Sequence, residues 1–240
     1  MSMFASTDDG RTGEIRIAVR ALADRRVRHV LLDWDGTVVD SHEHITNAFT
    51  TAVCQITGKS VEPPAVKALI GRPVGEMFLA FGQERQLPDF LDRFESLYIG
   101  LCRASPEPLL PGILEMLQWL KDEEGIRLSI TSNKRCATLQ ASVNSSGLAS
   151  MFDRLLDGQT HSPKPSGSMG EVVMRESDVV PSELLVIGDS HVDSEFARVL
   201  NCPFLGLASH TTNHRIRADE VQRLVLHWRA TEPPASVGGY

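Results

Sequence analysis

The chain has 240 residues, and its 24 lysines and arginines against 31 aspartates and glutamates give a formal net charge of −7. A hydrophobic share of 42% and a charged share of 23% are ordinary for a globular protein and exclude a disordered or collagen-like chain. The acidic balance disfavours nonspecific binding to nucleic acid, and no apolar run approaches the roughly 18 residues that cross a membrane. We therefore expect a soluble protein of one large domain or two small ones.

The N-terminal segment, residues 1–28, is predicted to be an extension that contains one helix. Apolar residues recur there at helical spacing among several arginines, at Ile15, Ala18, Val19 and Leu22. No apolar core of a secretory signal is visible, and nearby acidic residues argue against a transit peptide. We expect this helix to pack on the domain with a solvated basic face.

The four cysteines are widely spaced and form no C-x-x-C pair, which argues against a zinc site or a disulfide framework. We expect reduced and mostly buried thiols. Together with the N-terminus, this indicates a cytoplasmic protein.

Short apolar strands alternate with helical stretches along most of the chain. The predicted strands cover residues 29–32, 126–131, 154–156, 184–187 and 204–207. Helices are predicted between them, for example where Ile113, Met116, Leu117 and Leu120 share one face. This alternation predicts an α/β fold with a doubly wound parallel sheet.

One segment, residues 41–106, breaks this alternation because it contains helical stretches without a convincing strand. Glycines and prolines interrupt it, at Gly58, Pro63-Pro64, Gly71-Arg72-Pro73 and Pro88. We therefore predict a helical insertion at 41–106, a sheet core at 29–40 and 107–225, and a C-terminal tail at 226–240.

Polar residues follow four of the predicted elements, and ligands bind at the carboxyl ends of strands in open parallel sheets. The four segments are Asp33-Trp34-Asp35-Gly36-Thr37, Thr131-Ser132-Asn133-Lys134, Lys164-Pro165 and Gly188-Asp189-Ser190-His191-Val192-Asp193. Together they bring carboxylates, a cation and hydrogen-bond donors to one edge of the sheet.

These four segments, in this order, resemble the motifs of the haloacid dehalogenase-like hydrolase superfamily. The helical insertion is similar to the cap of phosphoglycolate phosphatase-like members. The resemblance covers about residues 30–207. It implies a Rossmann-like catalytic core with an inserted helical cap domain, and a phosphoric monoester hydrolase as the activity.

The resemblance also implies catalytic roles. Asp33 would be the nucleophile that forms an aspartyl phosphate, and Asp35 would be the general acid and base. Lys164 would neutralise charge in the transition state. The alternative for the two aspartates is a pair of turn or capping acids, and Lys164 would then be a solvated loop residue.

Magnesium is the implied cofactor, because Mg²⁺ prefers hard oxygen ligands. By resemblance it would be held by Asp33, the backbone carbonyl of Asp35 and Asp189, with Asp193 near or in the shell. Asp193 also fits the first turn of a helix, where the helix dipole favours an acid.

Substrate contacts are expected from Ser132 and Asn133, which offer donors to a phosphoryl group, and from Arg72, which is placed to reach an anionic leaving group. His42 and His44 closely follow the first motif and are predicted either to touch the substrate or to be surface or hinge residues. The alternative for Arg72 is an exposed arginine without a ligand.

The predicted function is therefore a magnesium-dependent phosphatase that acts on a small phosphorylated metabolite. A phosphotransferase or mutase, and a non-catalytic binding or regulatory protein on the same fold, are the alternatives.

Overall fold

The computed structural model describes residues 10–208 and 216–231. Five strands of the described chain form one sheet in the order β3-β2-β1-β4-β5, and every pairing is parallel. The strands are β1 (His29–Leu32), β2 (Arg127–Ser132), β3 (Arg154–Asp157), β4 (Leu184–Gly188) and β5 (Phe204–Gly206). The chain builds outward from β1 to one edge and then to the other, so the predicted α/β parallel sheet is confirmed.

Ten α-helices occur in the described chain. They are α1 (Gly10–Ala23), α2 (His42–Thr57), α3 (Pro63–Lys67), α4 (Val74–Phe78), α5 (Leu87–Ala104), α6 (Ile113–Gln118), α7 (Cys136–Ser146), α8 (Ser168–Ser177), α9 (His191–Leu200) and α10 (Ala218–Thr231). A π-helical turn, Trp119–Glu123, continues α6. Short 3₁₀ turns lie at Glu84–Gln86, Ala149–Met151 and Pro181–Glu183.

Helices cover both faces of the sheet, which explains why its central strand is a continuous apolar run. Every residue of β1 is buried. Val30 and Leu32 belong to one core cluster, whereas Leu31 belongs to a cluster on the opposite face with Val173 and Phe196. Side chains of a strand alternate between its two faces, so each face of β1 anchors a separate layer.

The N-terminal helix α1 packs on the sheet core, as the sequence predicts. Its Val19 and Leu22 are buried in the same cluster as Val221 and Trp228 of α10. The predicted start of a C-terminal tail at residue 226 is wrong, because α10 continues to Thr231 and buries Trp228. Residues 232–240 lie outside the described chain.

The helices α2–α5 occupy the segment that was predicted as a helical insertion, and they have an apolar cluster of their own. Aromatic rings form its centre: the Phe78 and Phe90 rings stack with centroids 4.1 Å apart, and the Phe49 ring meets Phe90 edge-on at 5.2 Å. Two linkers, one before α2 and one after α5, connect these helices to the sheet core. They run side by side and are joined by a hydrogen bond from the Asp40 amide to the Pro108 carbonyl at 2.8 Å.

The four cysteines are free thiols, but the prediction that they are mostly buried is only partly right. Cys102 is buried and Cys202 is partly buried, whereas Cys54 and Cys136 are exposed on helices α2 and α7. In the described chain, the helices lack the combination of length and apolar character that a membrane crossing requires.

His29 at the start of β1 gives a testable prediction about stability. The side chain is buried, and its Nε2 lies 2.8 Å from Ser129 Oγ. Burial, with the positive charge of Arg127 adding to it, lowers the pKa of His29 from 6.5 to about 4. The unfolded chain therefore takes up a proton at a higher pH than the folded chain, and stability is lost as the pH falls through this interval.

We expect this single group to lower the free energy of unfolding by up to about 3 kcal/mol between neutral pH and about pH 4. Urea unfolding of the wild type and His29→Gln across this range would measure it. The expected result is a difference between the two proteins that shrinks toward acid pH. A difference that does not vary with pH would contradict the prediction.

Candidate active site

The site lies at the carboxyl edge of the sheet, where β1 and β4 are neighbours. Asp33 directly follows β1 and remains in register with β4, since its amide donates to the Ile187 carbonyl at 2.9 Å. Gly36 turns the chain away with a φ of 79°, and a Cβ atom at this position would lie 2.6 Å from Asp189 Oδ2. Glycine is therefore needed both for the turn and for the close approach of the two strand ends.

Three of the predicted carboxylates and the predicted lysine meet at this edge. Single carboxylate oxygens of Asp33, Asp189 and Asp193 lie within 4.8 Å of one another. Lys164 Nζ donates to Asp33 Oδ1 at 2.6 Å and to Asp193 Oδ1 at 2.7 Å. Asp33, Lys164 and Asp193 are all buried, so water screens these charges only weakly.

Burial and neighbouring charges shift the pKa values of Asp33 and Lys164. Burial raises the pKa of Asp33 well above its usual value, and the charge of Asp193 adds to this while Lys164 opposes it. Burial by itself lowers the pKa of Lys164, but the charges of Asp193 and Asp33 outweigh it and hold that pKa above its ordinary value. Lys164 is therefore an ammonium ion.

The cluster has the chemistry of a divalent cation site. Three carboxylates lie together with a single lysine among them, which leaves an excess of negative charge in a buried place. Hard carboxylate oxygens are the ligands that Mg²⁺ and Ca²⁺ prefer. The residues present therefore fit the metal that the sequence motifs implied.

Asp193 has two functions in the structure, and they use its two oxygens separately. Its Oδ2 accepts from the Ser190 amide at 3.1 Å, while its own amide donates to Ser190 Oγ at 3.2 Å, so the two residues cap helix α9. Its Oδ1 faces Lys164. The prediction of a first-turn acid is thus correct, and Asp193 also contributes one oxygen to the carboxylate cluster.

The carboxylate of Asp35 lies apart from this cluster, paired with a lysine that the sequence analysis gave no function. Lys134 Nζ lies 2.8 Å from Asp35 Oδ1, and the side chains of Lys134 and Asp35 are 8% and 14% exposed. One indication of a role for Lys134 is present in the sequence, which is its position directly after Ser132 and Asn133 at the end of β2.

Asn133 connects the Lys164 loop with the helical insertion. Its Oδ1 accepts from the Lys164 amide at 2.7 Å, and its Nδ2 lies 3.2 Å from both the Lys164 and Gly71 carbonyls. Asn133 also lines the cavity between the sheet edge and the insertion, where the sequence predicts a substrate contact. Ser132 is buried, and its Oγ accepts from the Lys134 amide at 3.2 Å.

A cavity of about 420 Å³ lies between the sheet edge and the helical insertion. Its walls combine the carboxylate cluster with insertion residues, among them Arg72, Lys67, His42 and the apolar Ile45, Ile70, Val74, Met77 and Phe94. His44 lies elsewhere, with its Nε2 2.8 Å from the Ser105 carbonyl at the linker. His42 therefore lines the cavity, whereas His44 lies at the linker that follows helix α5.

A carboxylate cluster with a buried lysine thus lies at the carboxyl edge of a doubly wound sheet and beside a helical insertion, which is where enzymes with open α/β sheets bind their ligands. The sequence model of the haloacid dehalogenase-like hydrolases matches residues 30–207, and the chain belongs to this family.

Individual relatives agree with this assignment. The chain is 31% identical to the "Probable phosphatase IndB" of Dickeya dadantii, in an alignment that covers 82% of this chain and 88% of the relative. It is 25% identical to a phosphoglycolate phosphatase of Aquifex aeolicus, with 70% and 79% covered. The crystal structure of CbbY from Rhodobacter sphaeroides in complex with phosphate shares the fold, with a TM-score of 0.68, 20% identity, and 80% and 91% covered. The predicted family and the predicted assignment to the phosphatases are confirmed.

The two acidic residues after β4 make different contacts, and this gives a prediction for the metal-free protein. We expect Asp193→Asn to lower the free energy of unfolding by about 3 kcal/mol, because it removes a buried charge partner of Lys164. Asp189→Asn leaves that pairing intact, so we expect it to destabilise the protein less than Asp193→Asn does. Urea unfolding with a chelator present compares the two variants, and equal destabilisation of both would contradict the prediction.

Proposed function

We propose that this chain is a magnesium-dependent phosphatase that hydrolyses a small phosphorylated metabolite through an aspartyl-phosphate intermediate. The observation that carries the proposal is the buried Lys164, which pairs with Asp33 and Asp193 beside Asp189 at the sheet edge. Such a cluster concentrates a nucleophile and positive charge where a phosphoryl group would enter the cavity.

In the first step, a carboxylate oxygen of Asp33 attacks phosphorus and the bond from phosphorus to the leaving oxygen breaks. Asp35 gives its proton to that leaving oxygen, so the product departs as an alcohol. The carboxylate of Asp33 is held by Lys164 at Oδ1 and by Thr37 Oγ1, which donates to Oδ2 at 3.3 Å. This fixed orientation favours in-line attack.

In the second step, water attacks the phosphorus of the aspartyl phosphate. Asp35 accepts a proton from that water, the bond between phosphorus and the Asp33 oxygen breaks, and inorganic phosphate leaves. The ammonium group of Lys164 stabilises negative charge on the phosphoryl oxygens in both steps.

Mg²⁺ would be held by Asp33, Asp189 and the backbone carbonyl of Asp35, with Asp193 near or in its shell. When bound, it neutralises charge on the phosphoryl group and on the carboxylates. The chain's own contribution is to hold the carboxylates together before any metal or substrate arrives.

The substrate would place its phosphoryl group against Ser132 and its remaining atoms against the helical insertion. We propose that this insertion, residues 41–106, acts as a cap domain over the site. Arg72 and Lys67 line the cavity and form no ion pair within the part of the chain that the structure describes. They therefore suit an anionic leaving group. Relatives are named phosphoglycolate phosphatase and pyrophosphatase, which is consistent with a small anionic substrate.

The reaction is tested with an aryl phosphate and a panel of small phosphate esters in the presence of Mg²⁺. We expect the wild type to release inorganic phosphate, and Asp33→Asn to lose at least about a thousandfold in kcat because the nucleophile is gone. Asp153→Asn is the matched control, since Asp153 pairs with Arg127 at the opposite end of the sheet. Wild-type protein without turnover on any ester would refute the proposal, and transfer of phosphate to an acceptor would favour the mutase alternative.

The metal is tested without turnover, by thermal unfolding of chelator-treated protein with Mg²⁺ added back. At about a hundredfold excess over Kd, binding stabilises by about 2.7 kcal/mol, and each kcal/mol raises Tm by about 2–4 °C in a chain of this size. We expect Asp189→Asn to lose most of this increase. An undiminished increase in that variant would place the metal elsewhere.

A further inference from the structure

A series of side-chain contacts runs from Asp35 through the helical insertion to Trp34. Because Trp34 directly precedes Asp35 in the chain, these contacts form a closed ring. Its members come from five segments: the loop after β1, the loop after β2, helix α5, the linker after α5 and helix α7. In order, they are Asp35, Lys134, Tyr98, Glu107, Ser142 and Trp34.

The first half of the ring fixes Lys134. Its Nζ lies 2.8 Å from Asp35 Oδ1 and 4.3 Å from the centroid of the Tyr98 ring. A buried ammonium over an aromatic face gains a cation–π attraction that grows as water is excluded. The long lysine side chain is thus held at both the carboxylate and the ring, which restricts its rotamers.

The second half of the ring holds Tyr98 by hydrogen bonds that begin at its hydroxyl group. The Tyr98 hydroxyl donates to Glu107 Oε1, and the Ser142 hydroxyl donates to Glu107 Oε2. Trp34 Nε1 in turn donates to Ser142 Oγ at 2.6 Å. All four side chains are buried. Burial raises the pKa of Tyr98 well above its usual value, and the charge of Asp35 adds to this, so its hydroxyl remains a donor.

We propose that Lys134 is a positioning residue for Asp35, and that Tyr98 holds Lys134 so that Asp35 is aligned only while helix α5 lies against the site. This inference rests on the proposed phosphatase reaction, in which Asp35 must face the leaving oxygen. Lys134 is not required to touch the substrate. Its contribution is the orientation of a neighbouring carboxylate, and misalignment by about 1 Å costs on the order of a hundredfold in rate.

Leaving-group dependence distinguishes this role from a merely structural one. An aryl phosphate releases a weakly basic phenolate that needs little proton donation, whereas an alkyl phosphate releases a strongly basic alkoxide. A misaligned Asp35 should therefore slow phosphoryl transfer from the alkyl ester to Asp33 far more than transfer from the aryl ester, and kcat/KM measures this first step.

The experiment measures kcat and KM of Lys134→Met, Lys134→Arg and Tyr98→Leu with one alkyl and one aryl phosphate. For Lys134→Met we expect a loss of about 10–100-fold in kcat/KM on the alkyl ester and about threefold or less on the aryl ester, because kcat/KM reports the first step, in which only the alkyl leaving group needs a proton. Lys134→Arg keeps a cation that can stack on Tyr98, so it should recover most of the activity. Tyr98→Leu should reproduce the leaving-group dependence of Lys134→Met.

Lys59→Met is the matched control, because Lys59 is exposed on the insertion away from the ring. Lys134→Gln replaces Lys134→Met if the latter does not fold. An equal loss of kcat/KM on both esters, or no change of kcat/KM on either, would overturn the inference while leaving the phosphatase proposal intact. A wild type that releases no phosphate from either ester would instead refute the proposed function, and the inference would fall with it.

Discussion

Lys164 Nζ lies 2.6 Å from Asp33 Oδ1 and 2.7 Å from Asp193 Oδ1, and this buried pairing joins the end of β1, the loop after β3 and the start of α9. Carboxylates at such short range in a buried place repel each other and resist ionisation. The ammonium group between them makes the arrangement possible before a metal binds. The proposed chemistry depends on this pairing, because Asp33, the proposed nucleophile and a proposed metal ligand, is one of the two paired carboxylates.

The backbone makes this pairing possible by placing two strand ends side by side. Pairing of Leu32 with Ile187 sets Asp33 beside the end of β4. Gly36 leaves room for the Asp189 carboxylate, and a Cβ atom on Gly188 would lie 2.4 Å from Asp193 Cγ. The glycines of these segments are therefore part of the site, since any side chain there would displace the carboxylates.

The sequence was sufficient for the sheet and for most of the carboxylate cluster, because both leave local signals. Apolar strands have a recognisable pattern, and in a parallel sheet polar residues after the strands meet at one edge. Tyr98 and Glu107 gave no such signal, since their importance arises from how helix α5 and its linker pack against α7. The bonds of the Asn133 side chain to the Lys164 backbone also gave no local signal, because they join loops that are 31 residues apart in the chain. The extent of α10 was likewise decided by burial of Trp228 against α1.

Three consecutive residues after β2 each contact a different part of the helical insertion. Asn133 Nδ2 reaches the Gly71 carbonyl at 3.2 Å, Lys134 lies over the Tyr98 ring, and Arg135 pairs with Glu95 at 3.1 Å. The Arg135–Glu95 pair is about a quarter exposed on each side, so water weakens it. Lys134 is largely buried and Asn133 also binds the Lys164 backbone, so these two contacts link the insertion directly to Asp35 and Lys164. Any movement of the insertion would therefore change the surroundings of both groups, so the position of the insertion and the geometry of the site are linked.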